Sequence, residues 1–270
     1  MALPSAQGKP GSLALRVLSA AVMLPVAGVA IWLGGWVFAA LVAVAAGLMY
    51  WEWQGLGGEK GGTAAGFAVL CGLGVLLSAG SQPGTSIVFG VSVYLLVSLP
   101  YRRHSVFQAA GYLYVLLACI ALVWLRKLPD TGTLTVVWLL AVVVVTDTAA
   151  YFTGRTLGGP KLAPRISPKK TWSGLIGGIC GAAVAGGLVA ASVEGANILL
   201  IACGGGVFAV IAQLGDLLIS KAKRSFNVKD SSNLIPGHGG VLDRLDGFLS
   251  ASLAMAALVL LGGGSPLTWP

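Results

Sequence analysis

Nine acidic residues occur among 270, few enough to weigh singly: Glu52, Glu59, Asp130, Asp147, Glu194, Asp216, Asp230, Asp243 and Asp246. Two interrupt long apolar runs, Asp147 in Val145-Thr146-Asp147-Thr148-Ala149 and Asp216 in Gln213-Leu214-Gly215-Asp216. A carboxylate at membrane depth costs about 2.5–3.5 kcal/mol even on lenient scales, so it normally faces a partner or a water-filled cavity. Asp243 and Asp246 open a further apolar run and, three apart, share one helix face. Between Asp216 and Asp243 lies a stretch in which Lys221, Lys223, Arg224 and Lys229 alternate with Asp230 and lead into Pro236-Gly237-His238-Gly239-Gly240, followed by Asp243-Arg244-Leu245-Asp246. Phosphate chemistry calls for this mixture. Carboxylates hold a hard cation such as Mg²⁺, Lys and Arg neutralise phosphate oxygens, and glycine lets backbone N–H groups approach them. A plain basic loop closed by a glycine turn would leave the flanking carboxylates without a purpose. Glu52, Glu59, Asp130 and Glu194 fall at the ends of apolar runs or in loops and are expected to be solvated.

These groups need elements that bring them together, and the composition says which kind. With 56% hydrophobic and 10% charged residues, against about 25% charged in soluble domains, the chain is expected to be an all-α, polytopic transmembrane bundle. A span needs about 20 mostly apolar residues, and nine segments meet that description: 12–33, 36–53, 64–80, 84–100, 105–125, 131–153, 172–193, 196–220 and 242–262. The third and fourth are short and glycine-containing, which leaves a re-entrant pair open. Residues 1–130 form an N-terminal set of helices without a quotable motif. Residues 131–270 form the expected catalytic region, with polar loops at 154–171 and 221–241. With the N-terminus cytoplasmic, fifteen of the seventeen Lys and Arg residues fall on one side and only Arg126 and Lys127 on the other, the partition that cytoplasmic loops show. The net charge of +8 thus points to an anionic lipid surface rather than to nucleic acid. On this arrangement Asp216 lies roughly 6 Å and Asp147 roughly 9 Å inside the cytoplasmic ends of their helices. Cys71, Cys119, Cys180 and Cys203 lie in apolar runs without metal-ligand spacing and are expected to pack or to face lipid.

The stretch from Ser220 to Asp246 resembles the signature of the phosphatidate cytidylyltransferases, or CDP-diacylglycerol synthases. Ser220, Lys223, Arg224, Lys229, Asp230, Pro236, His238, Gly239, Gly240, Asp243, Arg244 and Asp246 stand at the signature's spacings. Ser167-Pro168-Lys169-Lys170-Thr171-Trp172 and the run from Asp147 to Gly154 are similar to other family segments, so the resemblance covers about residues 140–260. Ala222 stands where a larger apolar residue is usual and Ser173 where the family commonly has Glu. The CDP-alcohol phosphotransferases begin their signature much as Asp243-Arg244-Leu245-Asp246-Gly247 does, but they need two further Asp residues downstream, and no acidic residue follows Asp246.

The resemblance implies an integral membrane enzyme, in a bacterial cytoplasmic membrane with its site on the cytoplasmic side, that transfers CMP from CTP to phosphatidic acid. On that reading Asp216 and Asp243 are expected to ligate Mg²⁺ as a unit, with Asp246 next and Asp147 after it, and a second cation is plausible on the two-metal pattern. Lys223, Arg224, Lys229 and Arg244 are expected to contact phosphate, with Gly239 and Gly240 lining the turn. His238 is either a phosphate donor or a turn residue. Lys169 and Lys170 approach nucleotide or lipid headgroup, or serve only as positive-inside charge. A homodimer is left open. The rival class is an ion-coupled transporter that uses Asp147 and Asp216 in a cation path.

Overall fold

The computed structural model describes residues 11–59, 61–98, 106–235 and 239–269, and of residues 11–18 and 20 the backbone alone. Among the described residues there are nine α-helices: α1 (Gly11–Leu33), α2 (Gly35–Leu56), α3 (Gly62–Leu77), α4 (Pro83–Ser98), α5 (Val106–Arg126), α6 (Gly132–Thr156), α7 (Trp172–Ala190), α8 (Ile198–Ser225) and α9 (Leu242–Gly262). Each corresponds to one expected apolar segment. Six of them, α2 and α5 to α9, are long and apolar enough to cross a membrane, whereas α3 and α4 are shorter and only the Ala21–Leu33 part of α1 is described with all its side chains. Lys60, Arg102 and Arg103, counted in the charge partition, lie outside the described residues, as do Lys9 and the side chain of Arg16.

The departures from expectation that bear on the site are the end of α6, which runs to Thr156 rather than 153, the end of α8, and the 154–171 loop. Helix α8 continues to Ser225 instead of ending near 220, because Ala222, Lys221, Lys223 and Arg224 are good helix formers and basic residues suit a helix C-terminus. The 154–171 loop is not purely irregular: β1 (Lys161–Ala163) and β2 (Ser167–Thr171) pair antiparallel, with Lys161 opposite Thr171 and Ala163 opposite Ser167. Pro160, Pro164 and Pro168 exclude a helix there. The all-α description therefore holds for the bundle, with one small hairpin at its end.

Side-chain contacts at the helix ends fix which ends lie together. Trp53, near the end of α2, stacks on Phe107 at the start of α5 with centroids 4.3 Å apart, and Phe107 meets Phe226 just past α8 at 4.8 Å. Arg224 Nε donates to the Ile166 carbonyl at 3.1 Å, tying the hairpin to that same end. At the opposite end Arg126 Nε and Nη2 donate to the carbonyls of Ile31 and Trp32, at 2.6 and 3.1 Å. Beside it Lys127 Nζ donates to those of Ser78 and Ser81, both at 3.1 Å. These carbonyls lie at or just past helix C-termini, where no intrahelical partner is available. Arg126 and Lys127, the two cations on the sparse side of the charge partition, thus terminate α1 and α3.

The interior between α2, α3, α4 and α5 is aromatic: Tyr50 meets Tyr112 edge-on at 5.1 Å, and Tyr94 stacks on Tyr112 at 4.3 Å. The outer surface is equally apolar, with Trp32, Leu199 and Leu261 at 76%, 76% and 89% exposure. A bundle that is apolar inside and out is one whose solvent is lipid. Cys71 and Cys119 are buried and Cys180 and Cys203 face outward, the two roles expected of them. Arg126→Ala leaves the last carbonyls of α1 without their charged donor and is expected to destabilise the folded protein by roughly 1–3 kcal/mol, seen as a lower unfolding midpoint in detergent. An unchanged midpoint would show that this tie contributes nothing.

Candidate active site

Helices α8 and α9 touch through glycine. A Cβ on Gly247 would lie 2.9 Å from the Ala212 carbonyl oxygen, and one on Gly215 would lie 3.0 Å from that of Asp246 and closer still to Ser250 Oγ. The residue adjoining each carboxylate therefore has to lack a side chain, and the approach this permits sets Asp216 and Asp246 beside one another. Asp246 is 9% exposed, accepts from the Gly247 N–H at 2.8 Å, and lies within electrostatic reach of both Asp216 and Asp147.

Lys170, delivered by β2, enters this group. Its Nζ pairs with Asp216 Oδ2 at 2.5 Å and donates to Gln213 Oε1 at 2.7 Å. Gln213 Nε2 in turn donates to Asp147 Oδ1 at 2.9 Å, and Ser220 Oγ donates to Asp216 Oδ1 at 3.0 Å. A continuous polar chain thus joins α6, β2 and α8. Because α8 runs to Ser225 and α6 to Thr156, Asp216 and Asp147 each lie nine residues from a helix end, about 13 Å. They occupy one level, deeper than the sequence suggests.

A second tier sits nearer the helix ends. Lys223, 6% exposed, pairs through Nζ with Asp243 Oδ1 at 2.6 Å. Asp243 Oδ2 accepts from the N–H groups of Ser231 and Gly240, at 2.8 and 3.0 Å. Both oxygens of Asp243 are thereby engaged, and its partner Lys223 stands two turns of α8, about 10 Å, from Asp216. The structure brings Asp216 together with Asp246 and Asp147, while Asp243, in the first turn of α9 and three residues before Asp246, is met by Lys223 and by loop N–H groups.

The other expected residues are placed as follows. Lys229, Arg244 and Lys169 are exposed, and Arg244 is within electrostatic reach of Asp147. Arg224 is spent on carbonyls, donating to Val228 at 2.8 Å as well as to Ile166. Gly239 adopts φ of +87°, a left-handed turn that disfavours any side chain, and Gly240 closes the turn onto Asp243. His238 lies outside the described residues, with Pro236 and Gly237. Ser173, in the family's Glu position, donates to the Gly158 carbonyl and so helps to close the hairpin.

Sequence reasoning missed two residues. Gln213 was quoted only as a neighbour of Asp216; an amide inside an apolar run was the available signal. Glu52 was expected to be solvated and is 1% exposed. Its carboxylate accepts from Ser231 Oγ, Ser232 Oγ and the N–H groups of Val241 and Leu242. Nothing near Glu52 in sequence announces those partners, which lie about 180 residues away. Glu59, by contrast, is half-buried, and Asp130 and Glu194 are exposed.

Lys170→Ala removes the cation from a group of carboxylates and is expected to cost roughly 1–3 kcal/mol of stability, whereas Lys169→Ala on the exposed side of the same strand should stay within about 0.5 kcal/mol of the parent. Equal unfolding midpoints for the two variants would remove Lys170 from its place at the centre of the group.

The chain matches the profile of the Cytidylyltransferase family over residues 14–261. It is 41% identical over 265 residues to the phosphatidate cytidylyltransferase of Brucella suis biovar 1, covering 93% of each chain. To that of Pseudomonas aeruginosa it is 34% identical over 272 residues, covering 93% of this chain and 98% of the other. A shorter match, 50% over 117 residues, links it to the phosphatidate cytidylyltransferase of Rickettsia bellii. The likeness therefore reaches through the N-terminal helices, well beyond the 140–260 stretch that carries recognisable motifs. With the match running from α1 to α9 and the signature residues gathered at one end of the bundle, the chain belongs to the cytidylyltransferase family.

Proposed function

We propose that the chain transfers the cytidylyl group of CTP to phosphatidic acid, releasing pyrophosphate and CDP-diacylglycerol for phospholipid synthesis. The observation that carries this reading is the meeting of Asp216, Asp246 and Asp147 with Lys170 at one end of an apolar bundle, in a chain whose full-length relatives bear the name phosphatidate cytidylyltransferase. A lipid phosphate oxygen attacks the α-phosphorus of CTP. The new P–O bond forms as the bond to the bridging oxygen breaks, and its electron pair leaves with pyrophosphate. The attacking phosphate is already ionised near neutral pH, so no general base is required. Positioning and charge stabilisation supply the catalysis.

The oxygen-only donors of Asp147, Asp216 and Asp246 suit Mg²⁺. Among the described residues no three His, Cys, Asp or Glu side chains converge as a ready metal cage. Mg²⁺ is usually held by one or two carboxylates together with substrate phosphates. Asp216 and Asp246 are the proposed holders, and Asp147 is the remaining carboxylate for a second cation. Bound there, Mg²⁺ would neutralise phosphate oxygens and the charge on departing pyrophosphate. Asp243, already engaged by Lys223 and two N–H groups, is proposed chiefly to fix the loop, with one acceptor position left over. Exposed Lys229, Arg244 and Lys169 are free to meet the phosphates of CTP and the lipid headgroup. Lys223, Arg224, Gly239 and Gly240 shape the loop that presents them. All these groups come from one chain, so the reading holds for a monomer or a homodimer alike. The ion-coupled alternative has no support in the relatives' names, and the hydrogen-bonded chain from Asp147 to Lys170 gives its two carboxylates another occupation.

The site end is proposed to face the cytoplasm of a bacterial inner membrane, because the described basic residues other than Arg126 and Lys127 all belong to it. Helices α1, α3 and α4 are proposed to cross as well, Arg126 and Lys127 at the end of α5 being tied to the ends of α1 and α3 and to the start of α4. In a variant stripped of its four cysteines, single cysteines at 154–171 and 226–241 should be labelled only from the cytoplasm; labelling from the other face would overturn the orientation. In detergent micelles, where no gradient exists, purified protein with phosphatidic acid, labelled CTP and Mg²⁺ should form lipid-linked cytidylate, and failure of the folded protein to do so would sink the reading. Asp216→Asn and Asp246→Asn should each lower turnover by about 100-fold or more, with the double variant little worse, as expected of residues acting as a unit. Lys229→Ala should lose about 10-fold, mainly in KM for CTP.

A further inference from the structure

The loop that carries the signature is held by two carboxylates, one of which no motif contains. Asp243 takes the Ser231 N–H from one side. From the other, Glu52 of α2 takes the Ser231 hydroxyl at 3.1 Å, the Ser232 hydroxyl at 2.6 Å, and the N–H groups of Val241 and Leu242 at 2.9 and 2.7 Å. Those two N–H groups open α9, whose N-cap residue Val241 supplies no side-chain cap of its own. Glu52 fills that role from another helix, meeting donors that would otherwise lack a partner and placing negative charge at the positive end of α9. Gly240 makes the approach feasible, since a Cβ there would lie 2.6 and 2.7 Å from the two Glu52 oxygens. Every acceptor site of Glu52 faces this one segment, and the segment leads directly into Asp243 and Asp246.

We infer that Glu52 is a positioning residue for the reaction. It holds Ser231, Ser232, Val241 and Leu242 against α2 and fixes the first turn of α9, so that Asp243 and Asp246 stand in register with α8. The activity arm of this inference rests on the cytidylyl-transfer reading; the structural arm does not. A carboxylate can accept four hydrogen bonds at once, while an amide of the same size offers only one accepting oxygen and turns donors toward donors. Glu52→Gln should therefore release the loop without changing the volume packed beneath it.

The experiment compares Glu52→Gln with the parent in detergent. Helix content and gel-filtration elution should be unchanged, kcat should fall by about 10- to 100-fold, and KM for CTP should stay within about 3-fold. Amide exchange should quicken at Ser231, Val241 and Leu242 while α5 and α6 keep their protection. Parental kcat with parental exchange would overturn the inference, and so would faster exchange spread evenly through the bundle. Ser231→Ala/Ser232→Ala, which keeps both backbone bonds to Glu52, tests the same point should Glu52→Gln not fold. It should lose about 3- to 10-fold in kcat, and parental behaviour would overturn the inference. In Glu52→Gln the added serine changes should cost little, because the partners they remove are already lost. If the parent itself made no lipid-linked cytidylate, the functional reading would fail, and the exchange measurements alone would decide whether Glu52 holds the loop.

Discussion

A carboxylate carried between apolar helices has no bulk water around it, so it must be met by a cation or by N–H and O–H donors. In this chain that requirement falls mainly on Lys170 and Lys223, and much of the architecture follows from getting those two ammonium groups where they are needed. Lys170 cannot come from a span, since a lysine in the apolar part of α7 would itself need a partner. It arrives instead on β2, and the hairpin exists at the mouth of the bundle to aim it inward. Lys223 comes from the end of α8, which explains why that helix has to continue past its apolar stretch. The approach of α8 to α9 through Gly215 and Gly247 then sets the spacing at which both lysines find their acids.

The helices were legible in the sequence because lipid demands a nearly unbroken apolar run, and such runs can be counted. The signature residues were legible because charge inside those runs is expensive enough to be rare. The ends were harder to read. Lys221, Ala222, Lys223 and Arg224 have the propensity for a last helical turn, but a basic run after an apolar one equally reads as a loop, and the acid that Lys223 finds across the helix pair is not visible in composition. The pairing of acids was harder again. Asp216 and Asp243 look like partners because both flank the basic loop. Three-dimensional register instead sets Asp216 against Asp246, whose following glycine was the only local hint. Glu52 was illegible for the same reason in stronger form: a glutamate at the end of an apolar run usually reaches water, and only the fold brings a serine pair and a bare helix N-terminus to meet it.

The two tiers of charge differ in how completely they are satisfied. Asp243 has a lysine and two backbone donors, three of the four that a carboxylate can accept, and Glu52 has all four. One level deeper, Asp147, Asp216 and Asp246 share Lys170, a serine, a glutamine amide and a backbone N–H. Lys170 pairs with this group directly, and Lys223 and Arg244 lie within electrostatic reach of Asp246 and Asp147, so these three acids share their cations instead of each holding one. The outer tier of Asp243 and Glu52 holds the loop from two sides, and on the proposed reading this lets the loop offer Lys229 and Arg244 to phosphate without surrendering its own fold. The chain obtains both kinds of carboxylate by distributing its few acids unequally among its cations, and the proposed site, which takes metal and phosphate together, needs both.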